Sequence, residues 1–340
     1  MREFTGYMHG INLGGWFSQC DHSVKRYDYF VRKDDFRRIA SWGFDHVRIP
    51  VDYELILDQE YHFREDGLRR LDDCLLWCRN NGLNMILDLH KTVGFSFDDG
   101  EKEDGFFVNE DYQQIFYEIW REFARRYGQE KHLSFELLNE VSDASYCQKW
   151  NEIIRKTIET IRKEAPDIYI IVGGYHNNSV FAIKDLDDPY DEHIVYNFHC
   201  YSPLVFTHQG AYWIPKMDTS FRTSFEHSYA EYRKLTQEQI DIGHVDFFPE
   251  RDQVIDASYF MELFAEAIRI AEAKKVPLYC GEYGVIDLAD TEETLKWYRC
   301  IHEVFETYHI GRAMWSYKEM DFGLVDAHYD PIRKQLLEMK

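Results

Sequence analysis

The 340-residue sequence has no Cys-x-x-Cys pair; its seven cysteines (Cys20, Cys74, Cys78, Cys147, Cys200, Cys280, Cys300) are odd in number and scattered. A zinc ribbon or dithiol redox centre is therefore not expected, and free thiols fit a reducing compartment. Cys74 and Cys78, i and i+4 on a helix pattern, are expected to pack rather than bridge. Positive charge is scarce too, with 39 Lys and Arg against 61 Asp and Glu, a formal net charge of −22. A surface this acidic repels nucleic acid and anionic membranes and leaves a neutral polymer acceptable. The opening residues carry no apolar run. No signal peptide is visible, so the expectation is a cytoplasmic protein or one released without a conventional signal. No stretch approaches the ~20 apolar residues of a membrane-spanning helix. A Pro/Ser-rich linker, a repeat and a low-complexity tract are also missing, so a single domain over 1–340 is expected.

What is present is alternation. Short β-rich runs at 8–13, 46–51, 84–90, 133–140, 168–174, 194–201, 277–283 and 311–317 alternate with helix-period runs at 33–42, 66–81, 111–127, 144–164, 257–275 and 292–308. A weak helix is expected near 179–184. Several strand candidates are apolar throughout, as strands covered on both faces are. Eight βα repeats predict an α/β fold, a (β/α)8 TIM barrel. The rival, an open doubly wound sheet, lacks its phosphate turn, because Gly10-Ile11-Asn12-Leu13-Gly14-Gly15 does not have G-x-G-x-x-G spacing. The interval 202–256, between strand six and its helix, is too long for a simple βα loop. It contains Trp213, a polar helical stretch at 223–241 and Phe247-Phe248-Pro249. It reads as an inserted subdomain on the face where βα loops open.

Strand ends of a parallel barrel converge on one mouth. Here they carry Arg48 (strand two), His90 (three), Asn139 and Glu140 (four), His199 and Tyr201 (six), Glu282 (seven) and Trp315 (eight). Alternation puts His199 and Tyr201 on one side and turns Cys200 toward the helices. A carboxylate is costly to bury unpaired, so two at strand ends need a reason. Hydrolysis of a glycosidic bond supplies one, since it uses a proton donor and a nucleophile or base. Glu136, four residues before Glu140 and nearer the barrel bottom, reads as a structural carboxylate. Taken singly, Arg48 reads as an ion-pair partner, Trp315 as core and His90 as a satisfied core histidine.

Together, Gly14-Gly15-Trp16, His46-Val47-Arg48-Ile49-Pro50, Asp88-Leu89-His90, Leu138-Asn139-Glu140, Asn197-Phe198-His199-Cys200-Tyr201, Gly281-Glu282-Tyr283-Gly284 and Trp315 resemble glycoside hydrolase family 5. The resemblance covers 10 to about 322 and is nearest to compact bacterial endoglucanases with an insert after strand six. It implies a retaining double displacement, with Glu140 as general acid then base and Glu282 as nucleophile. Arg48 and Tyr201 would serve Glu282, His199 would tune Glu140, Asn139 would meet the sugar 2-hydroxyl, and Trp315 and His90 would contact that sugar. Trp16, Trp213 and Phe206 are candidate sugar platforms; most other aromatics, 16% of the chain, are expected in the core. Lys91 departs from the second histidine many members carry there.

The expected activity is a retaining endo-β-1,4-glucanase acting as a monomer on soluble glucans, cello-oligosaccharides or mixed-linkage β-glucan, with no cofactor or metal. A β-mannanase or glucomannanase, or an exo-acting β-glucanase of the same family, is the alternative. Outside the family stand a metal-dependent barrel hydrolase and a non-catalytic sugar-binding barrel. Met8-His9-Gly10-Ile11 lacks the His-x-His signature of the first, and intact Glu140 and Glu282 argue against the second.

Overall fold

The computed structural model describes residues 1–98, 100–101, 105–240 and 246–339. Among these, eight parallel strands close a barrel: β1 (His9–Asn12), β2 (His46–Asp52), β3 (Asn84–Lys91), β4 (Leu133–Glu136), β5 (Tyr169–Gly173), β6 (Ile194–Cys200), β7 (Leu278–Tyr283) and β8 (Gly311–Met314). Each strand pairs with its neighbours in chain order, and β8 returns to β1 with Arg312 beside His9. The helices of seven residues or more among the described residues are α1 (Lys33–Ser41), α2 (Glu65–Asn81), α3 (Glu110–Tyr127), α4 (Cys147–Arg162), α5 (Tyr229–Gln239), α6 (Ala257–Lys274), α7 (Thr291–Tyr308) and α8 (Arg333–Met339). This is the (β/α)8 barrel that the alternation predicts.

Local signals set the helices. The Asn109 side chain accepts from the N–H groups of Asp111 and Tyr112 to start α3, which buries Phe116, Tyr117, Trp120, Phe123 and Tyr127 at helical spacing. Helix α2 stops at Gly82, whose φ of 68° suits a residue without a Cβ. Cys74 and Cys78 are fully buried on α2, and all seven cysteines are free.

Inside the barrel the side chains change character along its axis. Ile86, Ile171, Val195, Tyr279 and Ala313 pack with Phe4 and Tyr7 in a small apolar cluster separate from the main core. Two residues further along β3 and β6 come Asp88 and Asn197, and two further His90 and His199, all buried. The period-two pleat thus carries both strands from an apolar floor to a polar mouth.

Several boundaries differ from the expected ones, among them the polar stretch at 223–241, whose helix is Tyr229–Gln239. Strand β4 ends at Glu136, not at 140, because its ladder divides. The Leu137 N–H goes to Ile171 O on the β5 side and the Asn139 N–H to Leu89 O on the β3 side. Glu140 follows with φ of 46°, off the strand altogether. Strand β8 stops at Met314, the run at 144–164 opens as a short 3-10 turn before α4, and a 3-10 turn at Val180–Asp185 stands for the weak helix. In the interval 202–256, α5 starts at a capping box between Ser228 and Glu231. Residues 241–245 of that interval, including the last of the polar stretch, lie outside the described residues.

Candidate active site

Arg48 on β2 is the hub of the mouth and is fully buried. Its Nε and Nη2 donate to the two oxygens of Glu136 at 2.7 and 2.9 Å. Its Nη1 donates to Glu282 Oε1 at 2.8 Å and to Asn12 Oδ1 at 2.9 Å. Its Nη2 also faces Asn139 Oδ1 at 2.8 Å and Asp88 Oδ2 at 3.0 Å. Burial works against this charge, but Asp88, Glu136 and Glu282 outweigh it and hold the guanidinium well above its ordinary value. Glu136 is thus a structural carboxylate, as its place low on strand four implied. It also accepts from Asn197 Nδ2 at 2.8 Å.

Glu282, at the end of β7, accepts from Arg48 on one oxygen and from the Tyr201 hydroxyl at 2.8 Å on the other. Glu140 is placed differently. His199 Nδ1 lies 2.6 Å from its Oε1, and Asn177 Nδ2 donates to its Oε2 at 3.2 Å. Burial pushes Glu140 up to about 7, against the opposing pull of Asn177, His90 and Arg48. His199 is itself lowered by burial to about 4, so it is neutral beside Glu140. The two carboxyls therefore differ in their partners: a guanidinium and a hydroxyl donate to Glu282, while a neutral imidazole and an amide face Glu140, a difference that suits a nucleophile and a proton donor.

His90 Nδ1 lies 2.6 Å from Asp88 Oδ2, and its ring stacks on Trp315 at 6.0 Å between centroids and 6° between planes. Asn139 Nδ2 is 3.4 Å from His90 Nε2. Trp213 is 41% exposed and stands edge-on to His208, whose ring is edge-on to Tyr201. Trp16 and Phe206 are not platforms. Trp16 is 1% exposed, stacks on Phe17 at 3.9 Å and donates its Nε1–H to Tyr27 O, while Phe206 is fully buried beside Phe225. Both face the packed interior, where an aromatic is held by its neighbours and not by a ligand. Lys91 pairs with Glu54 at 2.5 Å.

Asn12, Asp88, Asn177, Asn178 and Asn197 receive no site role from the sequence, although all five join this network. Asn197 and Asp88 share strands with His199 and His90 at period two, which is the signal that marks them. Asn177 and Asn178 carry no such signal.

Two groups among the described residues bring three metal-ligand atoms within 4.8 Å of one another: Glu140, His199 and Glu282, and His22, Asp52 and Glu54. In the first, His199 already bonds Glu140. In the second, the hydrogen bond to Asp52 raises His22 to about 10, so its ring is protonated, and Lys91 balances Glu54.

Comparison with known proteins follows the same lines. A family model described as cellulase (glycosyl hydrolase family 5) matches residues 9–321. Cellodextrinase A of Ruminococcus flavefaciens is 46% identical over 92% of this chain and 86% of that protein. Endoglucanase C of Acetivibrio thermocellus is 37% identical over 97% and 96%. Among solved structures, the cellulose synthase subunit Z of Clostridioides difficile is 26% identical and superposes with a TM-score of 0.75, covering 98% of this chain and 99% of that one. The chain belongs to glycosyl hydrolase family 5 and is a glycoside hydrolase.

Proposed function

We propose that this chain is a retaining β-1,4-glucanase that cleaves cello-oligosaccharides and soluble glucans. The observation that carries this reading is the spacing of the acids. Oxygens of Glu140 and Glu282 lie within 4.8 Å of each other, with His199 Nδ1 alongside. So close an approach supports the ~5–5.5 Å carboxyl separation of a retaining pair over the ~6.5–9.5 Å of an inverting one.

In the first step a Glu282 oxygen bonds the anomeric carbon as the bond to the leaving oxygen breaks, and the Glu140 proton moves to that oxygen. In the second, Glu140 takes a proton from water, the water oxygen bonds the anomeric carbon, and Glu282 is released. Arg48 and Tyr201 hold the Glu282 carboxyl in place for both steps. Trp315 and His90 form the floor under the sugar at the cleavage point, Asn139 meets its 2-hydroxyl, and Trp213 is a platform beyond. The names of the two relatives, a cellodextrinase and an endoglucanase, support a β-1,4-glucan substrate and both short and long chains.

Proton NMR of the first product tests the mechanism. The β-anomer should appear first and mutarotate later; initial α-anomer overturns the reading. Product sizing on cellohexaose, carboxymethyl cellulose, barley-type β-glucan and mannan tests the substrate. Preferred cleavage of mannan would replace the glucanase reading with a mannanase one.

A further inference from the structure

The connection after β5 contains three successive non-glycine residues in left-handed backbone: His176 (φ 50°), Asn177 (φ 57°) and Asn178 (φ 54°). Left-handed backbone is costly for most side chains and is tolerated best by asparagine among the non-glycine residues. The turn is also tied down. The N–H groups of His176 and Asn177 donate to Ser142 O at 3.2 Å and Val141 O at 3.0 Å, the two carbonyls that follow Glu140. Glu140 is itself left-handed, so one strained segment clamps another.

The asparagine side chains go to the acid and to its histidine. Asn177 Nδ2 donates to Glu140 Oε2 at 3.2 Å. Asn178 Nδ2 lies 3.3 Å from His199 Nε2. The proton on His199 is assigned by the network around it. Gly281 N–H donates to Asn197 Oδ1, which turns Asn197 Nδ2 toward Glu136 and, at 3.5 Å, toward His199 Nε2. With amide donors facing it, Nε2 is the acceptor and Nδ1 carries the hydrogen that Glu140 Oε1 accepts. Gly173, at the end of β5, makes room for this: a Cβ there would stand 2.2 Å from Asn178 Oδ1.

We propose that the left-handed turn at 176–178 is a positioning element for the acid, in which Asn178 joins Asn197 in holding the tautomer of His199 and Asn177 holds the second oxygen of Glu140. This rests on the assignment of Glu140 as acid and base. With Oε1 committed to His199, the transferable proton belongs on Oε2, beside Asn177. The charged and titratable groups around Glu140 are Arg48 from β2, Asp88 and His90 from β3, and Glu136 from β4. From the other side come His199 on β6, Tyr201 beyond it and Glu282 on β7. None of them lies on the turn, so changing the asparagines to glycine leaves that set unaltered, and changing one to aspartate adds a single known charge.

The test is the basic limb of the kcat/KM–pH profile on cellotetraose, with 2,4-dinitrophenyl cellobioside as the substrate that needs no acid. Asn177→Gly keeps the left-handed backbone and deletes a bond to the carboxylate, so the limb should move up by about half to one pH unit. Asn177→Asp should move it further the same way. Asn178→Asp places an acceptor against Nε2 and favours the charged imidazole. A cation beside Glu140 favours its carboxylate, so the limb should move down. Asn178→Gly and Gly173→Ala should each lower kcat on cellotetraose about tenfold while changing the dinitrophenyl substrate's bond-breaking step less than twofold. Limbs that stay in place in the Asn177 and Asn178 variants, with equal losses on both substrates, overturn the proposal and leave the turn a structural clamp. Glu140→Ala run in parallel separates the two failures. If it harms both substrates equally, the acid assignment fails, however the asparagine variants behave.

Discussion

Arg48 and Glu136 form a two-point pair, 2.7 and 2.9 Å, beneath the reacting carboxyls. Both side chains are out of contact with water. Glu136 accepts from Arg48 twice and from Asn197 once, so removing it leaves several buried donors unpaired at about 1–3 kcal/mol each, although Arg48 keeps Glu282 and Asp88. Glu136→Ala should therefore lower the melting temperature sharply and expose the chain to proteolysis. Glu282→Ala, in contrast, leaves Arg48 its Glu136, Asp88 and asparagine partners, and should unfold close to the parent. Thermal melts of the two variants side by side check this; similar melting temperatures would show that Arg48 does not depend on Glu136.

The two acids should separate kinetically. Glu282→Ala should nearly abolish activity on every substrate, and azide should restore it as an α-glycosyl azide. Glu140→Ala should spare dinitrophenyl cellobioside in its first step and lose activity on cellotetraose by several orders of magnitude. Equal losses on the activated and natural substrates would contradict the acid role.

The difference between these carboxyls was only partly legible in the sequence. Their positions were readable, because each follows an apolar run of strand length and precedes a break in the pattern. The barrel was readable for the same reason, since eight such runs alternate with helical ones. What sets their chemistry is less visible. Asn12 and Glu136 meet Arg48 only because the barrel closes, bringing β1, β2 and β4 to one axis. Asn177 and Asn178 sit in a turn with no periodicity, and their left-handed backbone is a tertiary choice made through Val141 and Ser142. Trp16 and Phe206 fail in the opposite sense. An aromatic beside a barrel strand reads the same in sequence whether it lies under a ligand or under its own neighbours.

Burial of Glu140 has a consequence for stability. Its folded pKa of about 7 lies above the ordinary 4.5, so the protonated form is the one folding favours. The contribution is fully present below about pH 4.5 and is lost as pH rises toward 7, worth up to about 3 kcal/mol. Glu140→Gln does not titrate and keeps an amide of the same size. Its melting temperature relative to the parent should rise steadily from pH 4.5 to pH 8. Differential scanning calorimetry across that range is the check, and a difference independent of pH would mean that Glu140 titrates near its ordinary value.

Trp213 connects the interval 202–256 to the chemistry through a chain of edge-to-face rings. It is 41% exposed, beside Tyr212 at 77%, and its ring lies 5.9 Å from His208. His208 is 5.0 Å from the Tyr201 ring, and the Tyr201 hydroxyl donates to Glu282. A sugar unit on Trp213 would thus lie beyond the unit being cut, not at it. Contacts of that kind can be expressed in turnover as well as in affinity, because a remote unit held in place orients the reacting bond. Trp213→Ala should lower kcat/KM on barley-type β-glucan and cellohexaose about tenfold, equivalent to roughly 1.4 kcal/mol, and leave an aryl cellobioside within about twofold. His208 stays packed against Phe322 at 5.3 Å in the variant, so Tyr201 keeps its support and the short substrate is a fair control. Equal losses on long and short substrates would trace the effect to Tyr201 and Glu282, and no loss on either would place Trp213 outside the path of the glucan chain.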